Sequence, residues 1–428
     1  MKAAFHTLGC KVNSYETQAV LEQFRGLGFE IVPFTEAADV YVINTCSVTQ
    51  VAEHKSRQML HRAKRLNPSA LVIATGCYAQ EAGDNLLSDA GVDMVIGNNL
   101  KNRIAELALE AIESGPQGAE IEDLTRCRDF EPQFISNQGE NVRAYVKIQD
   151  GCDRFCSYCI IPYVRGRSRS RKPEDVISEA NALCANGYKE IVVTGIDISS
   201  YEYGLAGLLT ELNDIEGLER IRLGSLEEGI ITQEFISGIK GVDKLCPHFH
   251  LSLQSGCKET LKRMNRKYTP EEFYEKVCML REAFAAPGIT TDIIAGFAGE
   301  TEEEFAESLE FVMKVGFTQL HVFPYSRRKG TAADKLPGQI SKKEKAARVE
   351  RMMAAGTEMQ TAFMESLIGK PQKVLIEEII EIDGEKYSAG FTPEYVRMAI
   401  KGDENQVNSI AALVPSGIKN LENTLFLI

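Results

Sequence analysis

A chain of 428 residues is long enough for two to four domains, and its 44% apolar and 25% charged side chains are those of a soluble globular protein whose cores form without staples. The start, MKAAFHTLGC, has no basic segment followed by a long apolar one, and no run of about 18 uncharged apolar residues could span a membrane, so a cytoplasmic protein is expected. A net charge of −13 argues against general nucleic-acid binding, although a local basic patch can still hold phosphate.

In chain order, short β-rich runs at 2–7, 39–44, 70–75 and 93–96 alternate with helix-like stretches such as 14–28 and 51–66. This alternation predicts a parallel sheet with helices on its faces, over residues 1–115. A polar stretch with Gly and Pro follows, and residues 116–140 are expected to be a linker. From 141 to 366 the rhythm resumes, with strands at 142–148, 190–194, 220–223, 248–253, 290–294 and 319–323. Helical segments at 173–186, 232–239, 270–285 and 301–315 lie between them. Six β/α units suit a partial parallel barrel better than a complete one. Residues 341–367 read as one long, charged helix. From 367 to 428 the texture changes to short strands at 373–380, 395–400, 410–414 and 425–428, separated by turns. The expected fold is α/β: an N-terminal parallel-sheet domain, a central partial (six-unit) β/α barrel and a small C-terminal all-β barrel domain.

Eleven cysteines, an odd number, in a chain without a secretion signal do not suggest a disulfide framework, and metal or catalytic use becomes the question. Cys152, Cys156 and Cys159, in GCDRFCSYC, form CxxxCxxC in the loop after the first barrel strand, where the active sites of such barrels gather. Three thiolates this close suit three irons of a four-iron cluster whose fourth iron stays open. Zinc is the competing reading, but a closed structural site wants four ligands, usually in paired spacing, and no second CxxC follows. Tyr158 is placed to contact a nucleotide base, or else packs on the loop. Cys10, Cys46 and Cys77 each follow a strand of the first sheet, so all three emerge at its carboxyl edge. Their convergence points to a second cluster with an open iron; the alternative is three buried, inert cysteines. Two open clusters facing each other would let one make a radical and the other supply a group. Cys127, Cys184, Cys246, Cys257 and Cys278 have no such grouping and are expected to be ordinary core or surface residues.

LGCKVN, NTCSVT and TGCYAQ, together with GCDRFCSYCIIPYVRGRSRSR, closely resemble the radical S-adenosylmethionine methylthiotransferases. The resemblance continues through LSLQSGCKETLKRMNRKYT, TDIIAGFAGETEEEF and HVFPYSRRKGT to a C-terminal segment like a TRAM domain. It implies a radical-generating 4Fe-4S cluster on Cys152, Cys156 and Cys159, and an auxiliary 4Fe-4S cluster on Cys10, Cys46 and Cys77 that delivers sulfur. It also implies two molecules of S-adenosyl-L-methionine per turnover, one a methyl donor and one cleaved reductively to a deoxyadenosyl radical. That radical would take hydrogen from an unreactive carbon, here the C2 of an adenine. A tRNA substrate, an external electron donor and a sulfur source are the implied partners, and nothing demands more than a monomer. TLGCKVN, DVYVINTC, KSRQ and KRMNRKYT most resemble the branch acting on threonylcarbamoyl-adenosine beside the tRNA anticodon. The isopentenyl-adenosine branch and the branch modifying an aspartate of a ribosomal protein fit less well. Asp197, in TGIDISSYE, stands where that branch carries His, and Ala298 replaces the usual Pro in GFAGE.

Ser225 and Glu227, in RLGSLEE, are placed to meet the ribose or amino group of S-adenosylmethionine, and Gly195 would let a ligand approach the backbone. Gln254 and Asp292 end the fourth and fifth barrel strands and are assigned to the same cofactor; for each, a loop hydrogen bond is the alternative. Arg165, Arg167, Arg169, Arg171 and Lys172 alternate after the cysteine loop; Lys262, Arg263, Arg266 and Lys267 form a second patch, and Arg327, Arg328 and Lys329 a third. They are expected to make a positive rim that steers tRNA on an acidic protein, against the plain reading of a solvated face. Thr301 with Glu304 reads as a helix capping box. Basic residues are few and scattered in the C-terminal module, where the resemblance implies RNA binding. Outside the enzyme class, the alternative is a non-catalytic, metal-stabilised RNA-binding protein.

Overall fold

The computed structural model describes every residue except Ala90, Gln117, Glu140, Asp383, 403–406 and 422–423. Its first sheet has six parallel strands, in the spatial order Glu30–Val32, Lys2–Thr7, Val40–Thr45, Leu71–Gly76, Met94–Ile96 and Gly118–Glu120. Both faces are apolar because successive side chains of a strand point to opposite sides. Val40, Val42, Ile73 and Met94 pack with the helices Lys11–Gly26 and Ile104–Ser114. Tyr41, Ile43, Val72 and Val95 pack on the other side, with Leu60 and Ala63 of Gln50–Leu66. Each fully buried aliphatic side chain of this kind contributes roughly 1.5–3 kcal/mol.

The segment expected to be a linker is bound into the structure instead. Gly118–Glu120 forms the sixth strand, and Glu131, Gln133, Ile135 and Gln138 are buried. Ile135 packs on Tyr15 and Ala19 of the first helix, while the backbone N–H groups of Ser136 and Asn137 donate to Glu22. Its polar sequence hid this, because backbone and side-chain hydrogen bonds, rather than an apolar stripe, hold it in place.

The six expected central strands are present and parallel, but hydrogen-bonded as two sheets. One has the order Arg220–Leu223, Glu190–Thr194, Arg143–Lys147; the other runs Ser225–Leu226, His248–Leu251, Gly288–Ala295, Gln319–Pro324. Their outer face carries the largest apolar core, with Val176, Leu209, Phe273 and Phe305 supplied by the surrounding helices. Thr301 and Glu304 make the expected capping box, and Thr269 with Glu272 makes another. The long charged helix is Lys342–Glu365.

The C-terminal part is a six-stranded, mostly antiparallel sheet, with two strands more than expected, at Glu385–Phe391 and Ile418–Leu421. It docks on the amino-terminal ends of the central strands. Arg220 donates to the carbonyls of Phe391 and Lys373 at 3.0 and 2.8 Å. Arg222 donates to those of Pro393 and Thr392 at 2.8 and 3.1 Å, and Tyr395 stacks on His248 with ring centroids 4.7 Å apart.

Candidate active site

Cys10, Cys46 and Cys77 stand at three adjacent strand ends of the first sheet. Cys10 caps the helix Lys11–Gly26, Cys46 follows Thr45, and Cys77 opens the short helix Cys77–Ala82. Glycines let the backbones come this close. A Cβ on Gly9 would lie 3.0 Å from both Cβ and Sγ of Cys46, and one on Gly76 would run into Asn44 and Thr45. Both glycines have positive φ, +106° and +93°. The Asn13 amide donates to the carbonyls of Leu8 and Thr45, at 2.7 and 3.1 Å, and so joins the first loop to the second.

The second triplet lies in the loop after the first central strand. Cys152 N–H donates to the Gly166 carbonyl, Ser157 N–H to Met264, and Cys159 N–H to Cys156, at 3.0, 2.9 and 3.0 Å. Phe155, at φ 48°, makes the turn between the first two cysteines, and Asn265 Nδ2 donates to its carbonyl at 2.8 Å. The two triplets meet: Cys77 shares a buried apolar cluster with Ile160 and Val164, directly after Cys159.

Each triplet has one buried arginine aimed at a sulfur. Arg165 Nε lies 3.3 Å from Cys77 Sγ, and Arg266 Nη1 lies 3.4 Å from Cys156 Sγ. Arg165 is itself held by Glu16 at 2.8 Å, Asp150 at 3.0 Å and Asn13 at 2.7 Å. Lys147 bonds both carboxylates at 2.7 Å, and Lys101 lies 3.2 Å from Glu16. This buried hub spans the first sheet and the central strands. Burial works to raise the Glu16 and Asp150 carboxyls, but Arg165 and the lysines outweigh it and hold both below the usual range. Around the second triplet, Arg266 pairs with Glu227 at 3.1 Å and Arg154 with Asp197 at 2.8 Å.

These surroundings suit a sulfur-ligated metal group. All eleven cysteines are free thiols. Burial pushes the thiols of Cys152 and Cys159 up to about 12 and that of Cys46 up to about 11, so loading a metal there must displace protons. Three sulfur donors on each side, one short of the four of a closed structural zinc site, suit a multi-iron group with an open iron. Guanidinium N–H groups at cysteine sulfurs are among the contacts that tune iron–sulfur clusters.

The structure places the other expected residues as follows. Tyr158 packs edge-on to Phe297 at 6.3 Å, within an apolar cluster that includes Met264 and Tyr325. Gly195 lies against Gln149, whose carbonyl would be 2.9 Å from a Cβ there. Ser225 is exposed, and Gln254 adopts φ 68° beside the Asp292 backbone. Glu227 is engaged by Arg266, and Asp292 by His250 and His321. The basic rim is narrower than expected. Arg165, Arg169, Arg171, Arg266 and Arg328 are buried, with carboxylates of Glu16, Asp150, Glu179, Glu227, Glu53 and Glu81 as partners, and cannot reach phosphate. Arg167, Lys172, Lys262, Lys267, Arg327 and Lys329 remain exposed.

Sequence reasoning missed Asn13, Glu16, Lys101, Lys147 and Asp150. A signal existed in the first helix, where Asn13 and Glu16 lie three apart on the face that also buries Val12 and Tyr15. Arg154 accounts for the unexpected Asp197, because it sits between Cys152 and Cys156 and bonds that carboxylate.

Known proteins match this arrangement. Residues 2–97 match the model of an uncharacterised protein family, UPF0004, and residues 146–312 that of the radical SAM superfamily. The threonylcarbamoyladenosine tRNA methylthiotransferase MtaB of Bacillus subtilis is 40% identical over 95% of this chain and 92% of its own length. The tRNA-2-methylthio-N(6)-dimethylallyladenosine synthase of Thermoanaerobacter pseudethanolicus is 36% identical over 95% and 88%. Among solved structures, the radical S-adenosylmethionine methyltransferase TsrM of Kitasatospora setae shares the fold, with a TM-score of 0.58 at 17% identity, over 87% of this chain and 81% of that one.

Proposed function

We propose that this chain, which belongs to the family of radical S-adenosylmethionine tRNA methylthiotransferases, places a methylthio group on C2 of threonylcarbamoyl-adenosine beside the tRNA anticodon. One observation carries the choice of nucleoside: relatives named for it, from Bacillus subtilis and Aquifex aeolicus, are 40% and 39% identical and one from Thermotoga maritima 36%, against 35–37% for the dimethylallyladenosine synthases.

In this reading Cys152, Cys156 and Cys159 hold one 4Fe-4S cluster, and Cys10, Cys46 and Cys77 hold the other. When bound, the first supplies the electron that cleaves S-adenosylmethionine and the second supplies the sulfur. The chain's own residues then have separate tasks. Arg266 and Arg165 direct N–H groups at the cysteine sulfurs and offset their negative charge. The two glycines hold the Cys10, Cys46 and Cys77 strand ends together. Tyr158, Gly195, Ser225, Glu227 and Gln254 surround the place of S-adenosylmethionine. Glu227 and Asp197 fix Arg154 and Arg266 beside it. We read the two central sheets as one six-unit partial barrel, and the C-terminal sheet as a TRAM-like RNA-binding part. Exposed Arg167, Lys262, Lys267, Arg327 and Lys329 provide the phosphate contacts. The protein works as a cytoplasmic monomer with an external reductant and sulfur source.

Nucleoside digests of tRNA from cells with and without the gene test this reading. Methylthio-threonylcarbamoyl-adenosine should vanish without it. If that nucleoside persists while the methylthiolated dimethylallyl form disappears, the chain acts on the second substrate instead.

A further inference from the structure

Alternate residues of a strand face opposite sides of a sheet. In the second central sheet, Phe249, Leu251, Ile293, Leu320 and Val322 pack with the helices. His250, Asp292 and His321, on three neighbouring strands, therefore share the opposite face. His250 Nε2 lies 3.4 Å from Asp292 Oδ2, and His321 Nδ1 lies 3.4 Å from Asp292 Oδ1. One donor atom from each of the three fits within a 4.8 Å span.

Those separations are long for N–H···O hydrogen bonds. The two contacts run to different carboxylate oxygens, so an ion shared by both imidazoles, with ligand atoms about 2.0–2.1 Å away, would be met by both oxygens or by one after a small turn of the carboxylate plane. His250, on the strand beside that of Asp292, is prepared for such a role. The His250 side chain is only 10% exposed, and its Nε2 has no hydrogen-bond partner among the described residues. Its Nδ1 is 3.0 Å from Thr290 Oγ1. With Nδ1–H donated to that hydroxyl, the Nε2 lone pair points at the space shared with Asp292 and His321, as ligand histidines commonly do. His321 is 41% exposed, so the group is open on one side. Two imidazoles and one carboxylate with an open position is a donor set for zinc or ferrous iron.

We propose that His250, Asp292 and His321 form a mononuclear site for a divalent ion of the zinc or ferrous class, distinct from both cysteine triplets. Its open position takes an oxygen donor from whatever occupies this face of the sheet, a carboxylate more readily than a neutral group.

The test uses the full chain with its iron–sulfur clusters reconstituted, given one equivalent of zinc sulfate and desalted. It should retain one zinc whose K-edge absorption shows nitrogen and oxygen at about 2.0–2.1 Å and no sulfur near about 2.3 Å. His321→Ala, at a partly exposed position, should keep its iron and its melting temperature and lose the zinc. Asp292→Asn provides the second arm should His321→Ala unfold, and should bind zinc at least tenfold more weakly. Retained zinc in the folded variants, zinc bound through sulfur, or no zinc in the unaltered chain would each overturn the proposal. The last outcome would leave a His–Asp–His group held by charge alone.

Discussion

Glu16 has no exposed surface, yet Arg165, Lys147 and Lys101 all reach its carboxylate. Glu16→Gln would leave Arg165 and Lys147 to Asp150 alone, and Lys101 to the neutral oxygens of Asn98. Removing one partner of a buried ion network costs roughly 3–5 kcal/mol, so urea denaturation should show a loss of that order. A loss below about 1 kcal/mol would mean that the cations find other partners. The same residue marks the limit of what could be read from the sequence. The alternating arginines of RGRSRSR are visible as charge, and charge in a row usually means a solvated face. Whether Arg165 faces water depends on a carboxylate 149 residues away, which no local pattern reports. The cysteines were legible because their spacing and their positions after strands are local facts.

Between the strand Leu71–Gly76 and the helix Cys77–Ala82 the chain turns at one residue, Gly76, with φ +93° and no room for a Cβ. Gly76→Ala must push the strand end away from Asn44 and Thr45, and Cys77 moves with it. Reconstituted protein is expected to fall from about eight irons per chain to about four, while keeping the cluster on the CxxxCxxC loop. A variant that still binds about eight would separate this turn from the cysteine geometry. Strands such as Val40–Thr45 were readable from their β-branched, apolar runs. Gly118–Glu120 was not, because three residues of GAE carry no pattern and the strand exists only through pairing with Met94–Ile96. The break between the two central sheets falls at Gly224, whose N–H turns back to the Val193 carbonyl at 2.8 Å, and such a break leaves no periodic trace.

Across the whole molecule, residues 118–139 act as a strap over the first sheet and the central body. Glu131 in that strap accepts the Asn102 N–H at 2.8 Å. Burial pushes its carboxyl up to about 7, against the pull of Lys101 and Lys147. A carboxyl raised on folding stabilises the protein fully at pH below its ordinary value and loses that contribution as pH rises through its folded value. Thermal stability should therefore decline between about pH 5 and pH 8, by roughly 2–3 kcal/mol from this group. Glu131→Gln should flatten that slope; an unchanged slope would place its origin elsewhere. The order of the three parts was legible from the sequence, but their mutual grip was not. It rests on hydrogen bonds such as those from Arg220 and Arg222 to carbonyls near residue 392, which join partners more than 150 residues apart.

The Arg165 guanidinium touches a sulfur on the first sheet, a carboxylate on the first helix and a carboxylate beside the second cysteine loop. It thus works as a fixed gauge between the two cysteine sites. Hinge motion that parted them would strand a charge in the interior. The interval between the two sites is thus tied to the pairing of one buried charge.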